Sequence, residues 1–190
     1  MTDKFTPTPL KQLLKIILHQ SDRCDHILGI YKKQFFKPDK NDSFRIKRFG
    51  QNLETPIGTA AGPHTQLAQN IVASWLTGSR YIELKTVQTL DELEVSKPCI
   101  DMQDEGYNCE WSQELKIKQS FDQYLNAWIL IHILKDKFQI GETGDAGFIF
   151  NMSVGYNLEG IMKENVQWFL DKMYDASAEL KEKINERKKL

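Results

Sequence analysis

With 190 residues and a formal net charge of −1, the chain has the length of one globular domain and no cationic excess for electrostatic nucleic-acid binding. Its 41% of hydrophobic residues is enough to build a core, and its longest apolar run, residues 127–134, is too short to span a membrane. We therefore expect a protein that binds neither nucleic acid nor membrane.

The cysteines argue against a metal or cluster site within this sequence. Cys24, Cys99 and Cys109 are widely spaced and form no Cys-x-x-Cys motif, so we assign no metal ligand here. An odd, sparse cysteine count fits a reducing compartment, and residues 1–10 carry no apolar stretch of a signal peptide. We expect a cytoplasmic location and inert thiols at Cys99 and Cys109.

The N-terminal region predicts one amphipathic helix followed by a hairpin. Thr8 can cap the first turn of the helix, and Pro9 suits its first position. One apolar stripe follows at helical spacing: Leu10, Leu13, Leu14, Ile17 and Leu18. A polar loop at 37–43 then leads to two strand-like runs, 44–48 and 52–55, which an intervening glycine joins as a hairpin.

Residues 55–88 predict a strand, a tight turn, a helix and a second strand. The first strand, 57–61, is rich in small residues, which lets another molecule approach its backbone closely. Thr65 is expected to cap a helix that runs to about Leu76 and ends at Gly78. The buried face of that helix should comprise Ile71, Val72, Trp75 and Leu76.

The second strand of this unit ends at Lys85. Strand periodicity places Lys85 on the face of Tyr81 and Glu83, opposite Ile82 and Leu84. A lysine at this end of a strand points into the mouth of a parallel sheet, where ligands bind.

The rest of the chain continues the alternation of strands and helices. A loop is expected at 87–111, and a loop of this length in a compact domain is usually functional. The later elements are a helix at 115–138, a turn region at 140–147, a strand at 148–153, a helix at 157–176 and a charged, frayed helical tail from 178. Alternating strands and helices imply a parallel sheet with right-handed crossovers.

Two groups of residues are candidates for chemistry. The turn at 60–65 either packs small side chains or lets a flat cofactor approach the backbone. Lys85 either extends towards solvent, pairs with Glu83 or Glu105, or supplies a fixed positive charge to a bound group.

The stretch 55–88 resembles the start of the flavin barrel in dihydroorotate and dihydropyrimidine dehydrogenases. It is most similar to the N-terminal part of the bacterial family called putative selenate reductase subunits, and this resemblance covers most of 5–177. The resemblance implies that Lys85 stabilises negative charge on N1 and the C2 oxygen of the reduced flavin. The residues that it implies contact FMN are Ala60, Ala61, Gly62, Lys85 and Thr86.

Other polar residues are weaker candidates for the same site. His64 either orients a substrate or cofactor carbonyl or is a hydrogen-bonded residue of the turn. Asn108 loosely matches the asparagine that the related dehydrogenases direct at their pyrimidine, or it belongs to a solvated loop. Asn151 and Ser153 are interpreted as polar groups at a structural strand end that faces the barrel mouth. We assign no catalytic residue.

Together these features predict an α/β fold, a partial TIM (β/α) barrel with its first three strand–helix units, preceded by a helix and a β-hairpin. A whole barrel needs about 250 residues. We expect an N-terminal helix and loop at 1–43, a hairpin and incomplete FMN-type barrel at 44–177, and a charged tail at 178–190.

The resemblance implies the N-terminal segment of a flavin-dependent, iron–sulfur oxidoreductase that is inactive alone. In such proteins the FMN phosphate site, the FAD and NAD(P)H modules and the iron–sulfur clusters lie downstream. The expected partner is therefore the rest of the oxidoreductase, in cis or as a separate chain. The alternative is a non-catalytic interaction module or a truncated reading frame. An open sheet edge at 148–153 also predicts self-association.

Overall fold

The computed structural model describes residues 6–87, 89, 100–101, 107–108, 115–155 and 157–188. Within these ranges no helix has the length and apolar character needed to cross a membrane. The elements in chain order are α1 (Leu10–Arg23), β1 (His26–Ile27), β2 (Ile30–Tyr31), β3 (Ile46–Arg48), β4 (Gln51–Leu53), β5 (Gly58–Thr59), α2 (Ala68–Leu76), β6 (Tyr81–Glu83), β7 (Ile100–Asp101), β8 (Tyr107–Asn108), α3 (Ile117–Phe138), β9 (Ile149–Asn151), α4 (Leu158–Ile161), α5 (Glu164–Tyr174) and α6 (Ser177–Lys188).

Strands β5, β6 and β9 form one parallel sheet in that order. Gly58 lies opposite Tyr81, and Glu83 lies opposite Asn151, so β6 is the central strand. A helix follows each strand along the chain, as expected for β/α units whose helices cover the sheet. The predicted α/β fold with three strand–helix units is confirmed, and the sheet is open within the described residues.

The two faces of the central strand have different surroundings. Ile82 and Leu84 are fully buried in one hydrophobic core with Trp75 of α2. Tyr81 and Glu83 point to the opposite face and are half-buried. Burying one large apolar side chain contributes about 1.5–3 kcal/mol, so the register of this strand is strongly specified. The predicted assignment of the two faces is confirmed.

Helix α1 packs against the same core through Leu10, Leu13 and Ile17. The apolar stripe is narrower than predicted, because Leu18 is 37% exposed. Pro9 occupies the N-cap position without a side-chain hydrogen bond, so the prediction that Thr8 caps this helix is wrong. The division of the chain into three regions stays a prediction.

The hairpin predicted ahead of the parallel sheet is present. Strands β3 and β4 pair antiparallel, with Arg48 opposite Gln51. Phe49 and Gly50 form the turn with φ values of 50° and 76°. A two-residue type I′ turn requires positive φ at both positions, and glycine adopts it without a steric cost.

Helix α2 begins at Ala68, later than the start predicted from Thr65. The Thr65 hydroxyl is engaged within the preceding turn, where it accepts from the Gly62 N–H at 3.1 Å and donates to the Gly62 carbonyl at 3.1 Å. The Ala68 N–H donates instead to Oε1 of Gln123 in α3 at 3.2 Å. A contact between distant residues therefore satisfies the first amide of this helix.

Two other segments also differ from the prediction. The single helix predicted at 157–176 forms α4 and α5, separated by the extended backbone of Lys163 with ψ of 148°. Asn157 caps α4 by accepting from the Gly160 N–H at 2.9 Å. The predicted loop at 87–111 contains the antiparallel pair β7–β8, and much of the remaining segment lies outside the described residues.

A buried ion network lies at the amino-terminal end of the parallel sheet. Arg80 directly precedes β6, is fully buried, and donates from Nε to Oε2 of Glu54 at 2.5 Å. The Nζ of Lys135 lies 3.8 Å from the other carboxylate oxygen of Glu54. Burial lowers the pKa of both Arg80 and Lys135, while the Glu54 carboxylate acts in the opposite direction. The sequence analysis did not identify this network.

The outer edge of β9 has no paired strand in the part of the chain that the structure describes. Its apolar side chains are nevertheless packed: Phe148 is fully buried, and the Phe150 ring centroid lies 5.5 Å from that of Trp128. A cavity of about 400 Å³ borders this edge, between α3, the end of α5 and the start of α6. The apolar side chains of this edge are therefore packed, and its backbone lacks a neighbouring strand among the described residues.

We expect this edge to make the isolated chain self-associate, because unpaired backbone N–H and C=O groups recruit further strands. Light scattering over a wide concentration range should detect dimers or larger species. Replacing the half-buried Phe150 by lysine should shift the population towards monomer, since charges on edge strands oppose pairing. A compact monomer at every concentration would contradict the prediction.

Candidate functional site

The carboxyl ends of the three parallel strands define one edge of the sheet. After β5 the chain continues into Ala60, Ala61 and Gly62, and just beyond β6 lie Lys85 and Thr86. Ligands of β/α folds bind outside this end of the strands. The five residues predicted to contact a cofactor are therefore brought to the appropriate edge of the fold.

The side chain of Lys85 is buried at this edge, and only 4% of its surface is exposed. Its ammonium group donates to the carbonyl oxygen of Thr86 at 3.4 Å. Because removing a charge from water is costly, a buried lysine requires polar or anionic groups around it. The interpretation of Lys85 as a lysine that extends into solvent is wrong. Its burial suits a fixed positive charge, and the pairing with Glu83 or Glu105 stays a prediction, because Glu105 lies outside the described residues.

The Ala60–Ala61–Gly62 turn presents little side chain at the same edge. Ala60 is exposed, Ala61 is half-buried and Gly62 is buried in an extended conformation. A Cβ atom on Gly62 would lie 2.7 Å from Cε1 of His64, so the histidine ring packs directly against the glycine. The exposed His64 thus lies beside the turn, where a bound group could contact it.

A pair of hydroxyl groups joins the ends of β6 and β9. Oγ1 of Thr86 lies 2.8 Å from Oγ of Ser153. The backbone continues the parallel pairing here, because the Val87 N–H donates to the Ser153 carbonyl at 3.3 Å and Gly155 donates to Val87 at 2.7 Å. Ser153 therefore does lie at the mouth of the sheet, as the sequence predicts.

The structure does not place the remaining candidates in this cluster. Asn108 belongs to β8 and pairs with Ile100 of β7, while its side chain lies outside the described residues. Its role in substrate binding stays a prediction. Cys99 and Cys109, predicted to be inert, also lie outside the described residues.

Sequence reasoning missed two residues that hold Lys85 in place. The Tyr124 hydroxyl, from α3, donates to the carbonyl oxygen of Lys85 at 2.8 Å. The N–H of Lys85 donates to the carbonyl oxygen of Thr65 at 3.4 Å. The sequence did contain a signal for this contact, because Tyr124 lies within the helix predicted at 115–138. A buried tyrosine usually needs a hydrogen-bond partner for its hydroxyl group.

Parallel strands that alternate with helices, with a polar cluster at their carboxyl ends, define the chain as a β/α fold. Residues 28–189 match the family described as "Oxidoreductase YgfK, N-terminal TIM-barrel domain". The chain belongs to this family, which confirms the predicted TIM-barrel fold class.

Two curated relatives are similar to almost the whole chain. Each carries the name "Putative oxidoreductase YgfK", one from Escherichia coli strain K12 and one from Escherichia coli O157:H7. In both cases the identity is 52% over 177 residues, which are 93% of this chain. The matched region spans only 17% of the length of these relatives. The chain thus corresponds to the N-terminal TIM-barrel domain of an oxidoreductase family.

Proposed function

We propose that the chain is the N-terminal segment of a flavin-dependent, iron–sulfur oxidoreductase of the dihydropyrimidine dehydrogenase-like, selenate reductase type. The observation that carries this proposal is the buried Lys85 at the carboxyl end of the central strand, at the same sheet edge as the Ala60–Ala61–Gly62 turn. A preorganised positive charge next to an accessible backbone suits a flat cofactor that becomes negatively charged on reduction.

The residues at this edge are compatible with the ring of FMN. The small side chains of Ala60 and Ala61 leave the backbone accessible, and Lys85 and Thr86 supply a cation and a hydroxyl group. Barrel phosphate sites commonly use the loops after the seventh and eighth strands. The parallel sheet of the described residues has three strands, so we assign phosphate binding to the remainder of the oxidoreductase.

When bound, FMN would supply the electron-transfer chemistry, and the chain would supply position and charge. Lys85 would hold a positive charge where the reduced ring gains electron density, without rearrangement during the reaction. The turn at Ala60–Gly62 would support the ring through its backbone. Burial of Lys85 strengthens this electrostatic effect, because water screens the charge less in a buried site.

The second candidate function is a non-catalytic interaction module or a truncated reading frame. The unpaired edge of β9, within the described part of the chain, favours this alternative because it can accept a strand from another protein. Under the first proposal the same edge would accept the rest of the barrel, in cis or from a separate chain. We further propose a cytoplasmic location.

We expect the isolated chain to bind FMN weakly, because it would contribute ring contacts without the phosphate contacts. Hydrogen bonds to charged groups contribute about 1.5–3 kcal/mol each, so the absence of several would lower the affinity by orders of magnitude. Fluorescence titration of FMN should give no sub-micromolar dissociation constant for the chain. The complete oxidoreductase is the control and should bind FMN tightly; a sub-micromolar constant for the chain alone would refute the prediction.

A further inference from the structure

The peptide groups on both sides of the Lys85 Cα atom are hydrogen-bonded to other elements. The Tyr124 hydroxyl of α3 donates to the Lys85 carbonyl at 2.8 Å, and the Lys85 N–H donates to the Thr65 carbonyl at 3.4 Å. These bonds lie beyond β6, which ends at Glu83. The pairing with the β9 segment continues on either side, through the Leu84 N–H to the Asn151 carbonyl at 2.8 Å and the Val87 N–H to the Ser153 carbonyl at 3.3 Å. The bonds to Thr65 and Tyr124 add to that pairing by fixing the two peptide groups of Lys85 itself.

Tyr124 is itself firmly held. It is 1% exposed, and its ring packs edge-on against that of Phe169 in α5, with 6.3 Å between the centroids. Burial raises the pKa of the Tyr124 hydroxyl far above its usual range, so the group keeps its proton and remains a donor. The hydrogen bond to Lys85 thus connects the covering helices to the edge of the sheet.

Thr65 links the same peptide to the neighbouring turn. Its N–H donates to the Gly62 carbonyl at 3.0 Å, and its hydroxyl accepts from the Gly62 N–H at 3.1 Å. The Thr65 carbonyl, which these contacts leave available, accepts from Lys85. One continuous set of hydrogen bonds therefore runs from Tyr124 through Lys85 and Thr65 to Gly62.

We infer that Tyr124 is a positioning residue that sets the orientation of Lys85, and through Thr65 its placement relative to the turn at Gly62. This inference rests on the proposed function, in which Lys85 acts on a bound flavin. Tyr124 is fully buried and acts through Lys85, so we assign it no contact with the flavin. Fixing Lys85 before the cofactor binds would avoid the loss of its conformational freedom during binding.

Tyr124→Phe removes the hydroxyl and retains the ring. In the 190-residue chain we measure the rate at which an amine-specific acylating reagent modifies Lys85, by peptide mass spectrometry, with exposed Lys47 as internal reference. Loss of the hydrogen bond from Tyr124 to Lys85 should raise the acylation rate of Lys85 by about 2- to 13-fold. The acylation rate of Lys47 should not change. Ile131→Val, in the fully buried part of the same helix, is the control for general loosening.

The inference is overturned if Tyr124→Phe leaves the Lys85 rate unchanged, or if Ile131→Val raises it equally. A second measurement is the flavin midpoint potential of the complete oxidoreductase, which Tyr124→Phe should lower because the positive charge is less well placed. If the acylation rate rises but the complete protein binds no FMN, the positioning role stands and the proposed function fails. Lys85→Ala could alter the flavin midpoint potential while Tyr124→Phe alters neither that potential nor the acylation rate of Lys85. In that case only the positioning role fails.

Discussion

Replacing Lys85 by alanine in the complete oxidoreductase should slow flavin reduction about a hundredfold to a thousandfold, as removal of one preorganised charge-stabilising donor does in other enzymes. The flavin midpoint potential should fall at the same time, because the positive charge stabilises the reduced ring more than the oxidised ring. FMN binding should weaken much less, since ring packing and phosphate contacts would persist. Stopped-flow reduction, spectroelectrochemistry and an FMN titration measure the three effects separately.

A matched control separates the function of Lys85 from the general effect of removing a lysine. Lys47 is exposed on β3, and Lys47→Ala should leave reduction, potential and stability within about 0.5 kcal/mol of wild type. Circular dichroism should first establish that the Lys85→Ala protein is folded. If its potential and turnover then equal those of wild type, Lys85 is not the flavin lysine and the proposed function loses its main support.

The two faces of the central strand could be predicted because they follow from local periodicity. Alternation placed Ile82 and Leu84 in the core and Tyr81 and Glu83 on the opposite face, and the first pair is fully buried while the second is half-buried. The hairpin could also be predicted from local sequence, because Gly50 follows Phe49 at a two-residue turn that requires positive φ. Sequence patterns of this range therefore located the sheet, and the family resemblance supplied the candidate site at its edge.

The support around the site could not be predicted because it depends on residues far apart in the chain. Tyr124 bonds to Lys85 across 39 positions, and Gln123 satisfies the first amide of α2 across 55 positions. The second contact explains why Thr65 does not cap α2: its hydroxyl is used in the turn, and a distant amide oxygen takes its place. Capping propensity identifies residues that can cap a helix. It does not show when a residue distant in the chain already satisfies the amide that the cap would bind.

Glu54→Ala should destabilise the chain by about 3–5 kcal/mol, the usual cost of leaving a buried charge without its partner. Arg80 is completely buried, and Glu54 is 2% exposed, so water cannot replace the lost carboxylate without reorganisation. The backbone around the ion network also fits the Glu54 side chain closely. Gly141 and Gly147 both have positive φ, and a Cβ atom at either position would collide with the Glu54 carboxylate.

Urea unfolding at low protein concentration, which limits self-association, measures this loss. The matched control is the exposed pair of Lys137 and Asp22, whose N–O distance is 3.1 Å. Asp22→Ala should cost less than about 1 kcal/mol, because exposed ion pairs contribute little. Glu54→Gln should fall between the two, since its amide oxygen can still accept from Arg80 but carries no charge. A loss below about 1 kcal/mol for Glu54→Ala would mean that Arg80 finds other partners, and that the amino-terminal end of the sheet does not depend on this ion pair.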